Sequence, residues 1–313
     1  MKCLVSGATG FIGRQLCQQL AARGDTVIPL SRSGASLPTG IPTRAVDLAD
    51  TDPDAQLLRG VDVVFHLAGI AHQHAPAEAY SKVNFQASLK LAHLAAEAGA
   101  GCFVFLSSVK AMGPSSTTRP RSEGDCNPPE DPYGSSKWQA ECALREQFAD
   151  SNMAVVILRP ALVYGESPKG NLLSLARGVR RGLPRPPAGG GRSMVALADL
   201  VDLLCLLADN PPPGVNTWIV SDGASHSTRE IYDLLRAAMG KGRGTGWLPH
   251  WGWRLGAWLL DQTGGVAGDR AWDKLFGAEC YSNDAVVAAT GWRPVRRLED
   301  LVADMVIGRE KPA

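Results

Sequence analysis

Apolar residues follow two rhythms in the first half of the chain. Short unbroken runs occur at KCLVS (2–6), DTVIPL (25–30), VDVVFHLAG (61–69), CFVFLSS (102–108) and AVVILRP (154–160). They are rich in β-branched residues and bounded by glycine, serine or proline. That predicts strands buried on both faces. Between them Ile12, Leu16 and Leu20 share one helical face, residues 78–98 keep a helical period, and Tyr133–Phe148 predicts a further helix. Strands that alternate with helices predict an α/β fold built on a doubly wound parallel sheet.

Past residue 166 the rhythm breaks. Proline and glycine crowd RGLPRPPAGGGRS (181–193) and DNPPPG (209–214). VALADLVDLLCLLAD (195–209) reads as a strand end entering an apolar helix, and TWIVSDG (217–223) as a strand returning to the sheet. STREIYDLLRAAMG (227–240) is a capped helix, with Ser227 or Thr228 as the cap and Glu230 in the first turn. The expected organisation is a nucleotide-binding domain over 1–165, rejoined by 195–222. A smaller lobe over 166–194 and 223–313 would then carry the substrate.

The 313 residues carry 45% hydrophobic and 20% charged positions, an ordinary balance for a packed core. A net charge of +1 gives no general attraction to nucleic acid or acidic membranes. Seven cysteines, odd in number and without a C-x-x-C spacing, point to a reducing, cytoplasmic setting. MKCLVSGATG enters a strand at once, so no signal peptide is expected, and no apolar run reaches the length of a membrane span. His72 and His74 form an H-x-H pair without a neighbouring Cys/His/Asp cluster, so no metal is expected.

Two constellations carry chemistry. Gly7, Gly10 and Gly13 lie between the first strand and the first helix, where backbone N–H groups and the helix dipole suit a pyrophosphate. At the end of the second strand an acid would hold an NAD ribose. Ser31 and Arg32 stand there instead and suit a 2′-phosphate, so NADP(H) is expected over NAD(H). Further on, DPYGSSK places Tyr133 and Lys137 on one helix face. An ammonium beside a phenol would lower the tyrosine pKa and fit it for proton transfer.

Glycine cradle, strand-end serine and tyrosine–lysine pair, in that order, resemble the extended short-chain dehydrogenase/reductase superfamily and its NAD-dependent epimerase/dehydratase family. The resemblance implies a Rossmann sheet and cofactor contacts from Thr9, Phe11 and Ile12 around the cradle. It also implies contacts from Asp47 and Leu48 after strand three, from Leu67, Ala68 and Gly69 in FHLAG, and from Pro160. Register against the family's SSxxVYG favours Ser108 over Ser107 as the hydroxyl beside the tyrosine. Substrate contacts are implied at Ser108, Asn171, Arg192 (for a diphosphate) and Arg270, with Lys274 as the rival to Arg270. Ala196 departs from the family's usual histidine, and Ala87 from its glycine in the V-N-x-x-G-T segment that supplies Asn84.

Within the family, FLSSVKAMG and DPYGSSK look closest to NADPH-dependent reductases of UDP-4-keto-6-deoxy-N-acetylhexosamines, with a nucleotide-sugar 4-epimerase as the alternative. A reductase of small apolar ketones and a non-catalytic NADP(H) sensor are the remaining readings. The resemblance further implies a homodimer through helices near 78–98 and 133–149. WLPHWGWRLGAWLLD (247–261) sets Trp251, Leu255, Trp258 and Leu259 at helical spacing. It reads first as packing of the small lobe, with a substrate lid and membrane-surface contact as alternatives.

Overall fold

The computed structural model describes residues 1–51, 53–71, 75–115, 117, 119–166, 170–262 and 271–307. His72, His74 and Arg270 lie outside the described residues, as do the side chains of Asn171 and Lys274. The strands in chain order are β1 (Lys2–Ser6), β2 (Thr26–Ser31), β3 (Arg44–Ala45), β4 (Val63–His66), β5 (Cys102–Leu106), β6 (Ala154–Pro160), β7 (Leu162–Tyr164), β8 (Gly191–Ala196), β9 (Val215–Val220), β10 (Ser225–His226) and β11 (Ala278–Glu279).

Seven of them form a parallel sheet in the order β3-β2-β1-β4-β5-β6-β9. Its central strands β1, β4, β5 and β6 are buried because helices cover both faces. Alternate residues feed two cores: Val5, Phe65, Val104 and Val156 face one, and Leu4, Val64, Phe103 and Val155 the other. Each such side chain contributes ~1.5–3 kcal/mol on burial, so β-branched runs without polar alternation are what this position demands. β9 closes the sheet beside β6, with Val155 opposite Val215.

The smaller sheet is built around β8, which pairs with β7, β10 and β11. The chain leaves the main sheet after Pro160, a few residues before the boundary expected at 165, because β7 already pairs with β8. Ser227 caps the helix Thr228–Ala238 in a full capping box with Glu230. All seven cysteines are free thiols. Among the described residues no group of His, Cys, Asp or Glu is arranged to hold a metal, and no helix is long and apolar enough to cross a membrane.

Two details depart from the sequence reading. Residues 78–98 are not one regular helix, since Ser81–Gln86 forms a π-helical turn between Ala77–Tyr80 and Ala87–Glu97. The Trp-rich stripe is also not the packing face of its helix, His250–Gln262. Trp251, Leu255, Trp258 and Leu259 are exposed, while Trp253 and Ala257 on the other side are buried.

Candidate active site

Strand order reverses between β1 and β4, the switch point at whose carboxyl end doubly wound sheets bind their ligands. The glycine cradle lies there. Gly7 has φ +70°, and a Cβ there would lie 2.7 Å from the Ala68 nitrogen. A Cβ on Gly13 would lie 2.3 Å from the Gly7 oxygen. Only glycine lets the turn, the helix Phe11–Ala22 and the β4 loop approach this closely. Gly10 caps that helix without a side chain, and no acid stands in its first turn. Thr9 is exposed, and Phe11 and Ile12 are half-buried at the helix mouth. These residues fit a dinucleotide pyrophosphate on the open N–H groups.

At the end of β2 the two residues expected to hold a 2′-phosphate part company. Arg32 is exposed and forms no hydrogen bond or ion pair among the described residues. Ser31 is buried, its hydroxyl 2.6 Å from Thr43 Oγ1 and accepting from the Gly34 N–H at 3.0 Å. Its short side chain thus helps to shape the turn that carries Arg32. Asp47 accepts from the Ala49 N–H at 3.1 Å, and Leu48 beside it is half-buried.

Beneath this site lies a chain of hydrogen bonds. Ser6 Oγ accepts from the Ala68 N–H at 3.3 Å and meets His66 Nδ1 at 2.7 Å. His66 Nε2 meets Ser88 Oγ at 2.7 Å, and Ser88 donates to the Asn84 carbonyl at 2.8 Å. The directions assign a neutral imidazole with its proton on Nε2. Burial pushes the His66 pKa down to about 3, with the Lys137 charge adding to the effect. The unfolded chain therefore binds a proton near pH 6.5 that the fold refuses, and stability falls as pH drops through this window. Between pH 7 and pH 5 the loss is about 2 kcal/mol, which His66→Gln abolishes. Urea melts at the two pH values check this.

Asn84, fully buried on the π-helical turn, clamps the candidate site. Its Oδ1 accepts from the Ile70 N–H at 2.8 Å, and its Nδ2 donates to the Ile70 carbonyl at 3.0 Å and to Ser136 Oγ at 3.1 Å. One carboxamide thus ties the loop carrying Leu67, Ala68 and Gly69 to the helix Pro132–Gln147. Asp131 caps that helix by accepting from the Gly134 N–H at 2.8 Å, with Pro132 in its first turn. A Cβ on Gly134 would lie 2.6 Å from the Lys110 oxygen, so glycine there lets the helix mouth press against the turn after β5.

That contact brings Tyr133 to Ser108. The Ser108 side chain caps the short 3₁₀ turn Val109–Met112 by accepting from the Lys110 N–H at 3.2 Å, and it lies near enough to the phenol to favour its ionised form. Ser107 points the other way, donating to Glu141 at 2.5 Å within a buried cluster. Burial pushes Tyr133 up to about 12, partly offset by Ser108. The expectation that Lys137 lowers this pKa is corrected. The phenol stands above its ordinary value, and the Lys137 ammonium donates to the Leu106 carbonyl at 2.9 Å and sits 4.6 Å over the Phe105 ring. Shared helical phase brings the two stems together, but the long lysine side chain ends at the strand crest. It lies 3.3 Å from where a Cβ on Gly69 would be. Burial brings Lys137 itself down to about 8, opposed by Glu141.

Pro160 ends β6 at the same crest. Arg192, on β8, lies 4.0 Å from Glu279, which also accepts from Lys110 at 3.0 Å. Residue 192 and the segment after Ser108 therefore meet through one carboxylate. Asn171 belongs to the helix Gly170–Arg180. Glu279, Ser136 and the Glu141–Arg159 pair were not foreseen. Arg159, inside an otherwise apolar strand, was the available signal, since a charge there requires a buried counter-charge.

Comparison with known proteins accords with this geometry. Residues 3–220 match the NAD dependent epimerase/dehydratase family. A UDP-glucose 4-epimerase of Vibrio cholerae is 32% identical over 95% of this chain and 92% of its own. A UDP-2-acetamido-2,6-beta-L-arabino-hexul-4-ose reductase of Pseudomonas aeruginosa is 31% identical over 53% of this chain and 37% of its own. Among solved structures, MoeE5 in complex with UDP-glucose and NAD superposes with a TM-score of 0.79, at 24% identity over 98% of each chain. With a match across most of its length and a relative this similar from end to end, the chain belongs to the NAD dependent epimerase/dehydratase family, enzymes of the extended short-chain dehydrogenase/reductase type.

Proposed function

We propose that the chain reduces, with NADPH, the 4-keto group of a nucleotide-linked, UDP-type deoxy-N-acetylhexosamine. The observation that carries the choice of cofactor is Arg32, exposed at the end of β2 where an NAD-binding chain needs an acid. NADPH, held by the cradle and by Lys137 at the crest, supplies the hydride. The chain's own residues govern the oxygen. Ser108 donates to the carbonyl oxygen and orients it, and Tyr133, kept protonated by burial, delivers its proton there. Arg192 takes the diphosphate, and Glu279 lets it stand near Lys110 without mutual repulsion. The nearness of Ser108 to Tyr133 argues against a mere cofactor sensor.

A second reading, a nucleotide-sugar 4-epimerase, is favoured by the end-to-end likeness to the Vibrio cholerae enzyme. One experiment separates the two. A UDP-4-keto-6-deoxy-N-acetylhexosamine is incubated with NADPH, and UDP-glucose and UDP-N-acetylglucosamine without added cofactor. Stoichiometric NADPH loss with a new 4-hydroxyl product supports reduction. Interconversion of the hydroxy sugars with no net redox change supports epimerisation and sinks the first reading.

Arg32→Ala is expected to weaken NADPH about 10–100-fold, the worth of a charge-assisted phosphate bond, while leaving NADH unchanged. Steady-state KM values for both cofactors test it. An unaltered NADPH to NADH ratio would remove the case for NADPH.

A further inference from the structure

The helix His250–Gln262 is anchored by one side and bare on the other. Trp253 is buried and meets Phe276 edge-on at 5.9 Å, while Trp251 and Trp258 are 70% and 55% exposed. Leu255 and Leu259 extend the bare side, and Trp247, 70% exposed, precedes it. Leaving three tryptophans uncovered has no folding benefit, and an apolar patch of this kind marks a surface that meets something.

Charge identifies the occupant. From Leu234 to Leu260 the chain contains Arg236, Lys241, Arg243 and Arg254 and no aspartate or glutamate. Lys241, Arg243 and Arg254 are exposed, and Arg254 rises from the helix itself, 5.2 Å over the Trp272 ring. A second copy related by a two-fold axis would set this cationic segment against itself. A bilayer with anionic headgroups satisfies both features at once. Tryptophan prefers the boundary between acyl chains and water, and the cations gain from the negative surface.

We propose that this face docks the protein peripherally on the anionic surface of a lipid bilayer. Trp251, Leu255, Trp258 and Leu259 enter the headgroup boundary, and Arg254 and the cations before it pair with lipid phosphates. The helix packs on Ala271–Phe276, which leads into β11 and hence to the Glu279–Lys110 bridge beside the candidate active site. Docking therefore presents the substrate lobe to the membrane. The inference does not depend on which sugar or cofactor is used.

Flotation of the full chain with vesicles of phosphatidylcholine, alone or mixed with phosphatidylglycerol, tests it. The expected result is co-flotation with the mixed vesicles only, with a blue-shifted tryptophan emission and release by salt. Trp251→Ser/Trp258→Ser is expected to lower partition about tenfold or more. Arg254→Gln should lower it about fivefold, and as an exposed polar change it serves even if the double variant folds poorly. Failure of the wild type to bind the mixed vesicles, or equal binding by the variants, overturns the proposal. So does a dimer that the double variant disperses, because the face is then a contact between copies.

Discussion

Tyr133→Phe is expected to lower kcat by about 10²–10⁴-fold, the usual contribution of one positioned proton donor, with folding and cofactor affinity intact. The phenol hydroxyl is the only group lost, and the ring that packs at 6.2 Å from Tyr80 is kept. With its pKa pushed up to about 12, the phenol stays protonated throughout the working range, so in the proposed reaction it would serve as the acid. An alkoxide forming on the substrate oxygen is far more basic than a phenolate, so the proton still moves downhill. The same geometry assigns the pH profile. Lys137, brought down to about 8, loses its charge as pH rises through that value, well before the phenol titrates. The basic limb of kcat/KM is therefore expected to follow Lys137. It should persist in the residual activity of Tyr133→Phe and vanish in Lys137→Met. A Tyr133→Phe enzyme with full turnover would remove the tyrosine from the mechanism, and one whose basic limb has disappeared would return the titration to the phenol.

The parts of this site that were legible in the sequence are those fixed by backbone geometry. Gly7 and Gly13 stand where any Cβ would meet main-chain atoms, and Asp131 with Pro132 can only open a helix. The buried strands announced themselves because a sheet covered on both faces tolerates little else. What escaped depends on where side chains end. A four-residue spacing puts Tyr133 and Lys137 on one face, yet the lysine reaches the Leu106 carbonyl instead of the phenol. The π-helical turn at Ser81–Gln86 follows from its contacts with the helix Pro132–Gln147, and no local propensity marks it. The helix His250–Gln262 is apolar on two sides, so its period could not tell which side the rest of the protein would cover.

The largest effect on stability is expected at Arg159. Its guanidinium grips Glu141 through Nε at 3.0 and 3.1 Å and Nη2 at 2.6 Å, with both side chains buried. Nη1 donates to the Glu123 carbonyl at 3.1 Å, and Glu123 in turn accepts from the Ile219 N–H at 2.8 Å. Arg159→Met leaves the buried Glu141 carboxylate with only the longer, half-exposed Arg145 contact at 3.4 Å and should cost about 3 kcal/mol in urea unfolding. Removing both charges, as in Glu141→Leu/Arg159→Met, should cost clearly less than the two single changes added, because no uncompensated charge remains. Additive losses would mean that the two residues do not act as a pair. Turnover should fall with stability in the single variant. Arg159 adjoins Pro160, Glu141 lies one helical turn beyond Lys137, and Ser107, bonded to Glu141, adjoins Ser108. One buried ion pair thus seats the strand end, the lysine helix and the serine of the candidate site. A loosened pair reaches the chemistry through all three, which a variant at an equally buried apolar position such as Val155 would not reproduce at matched stability.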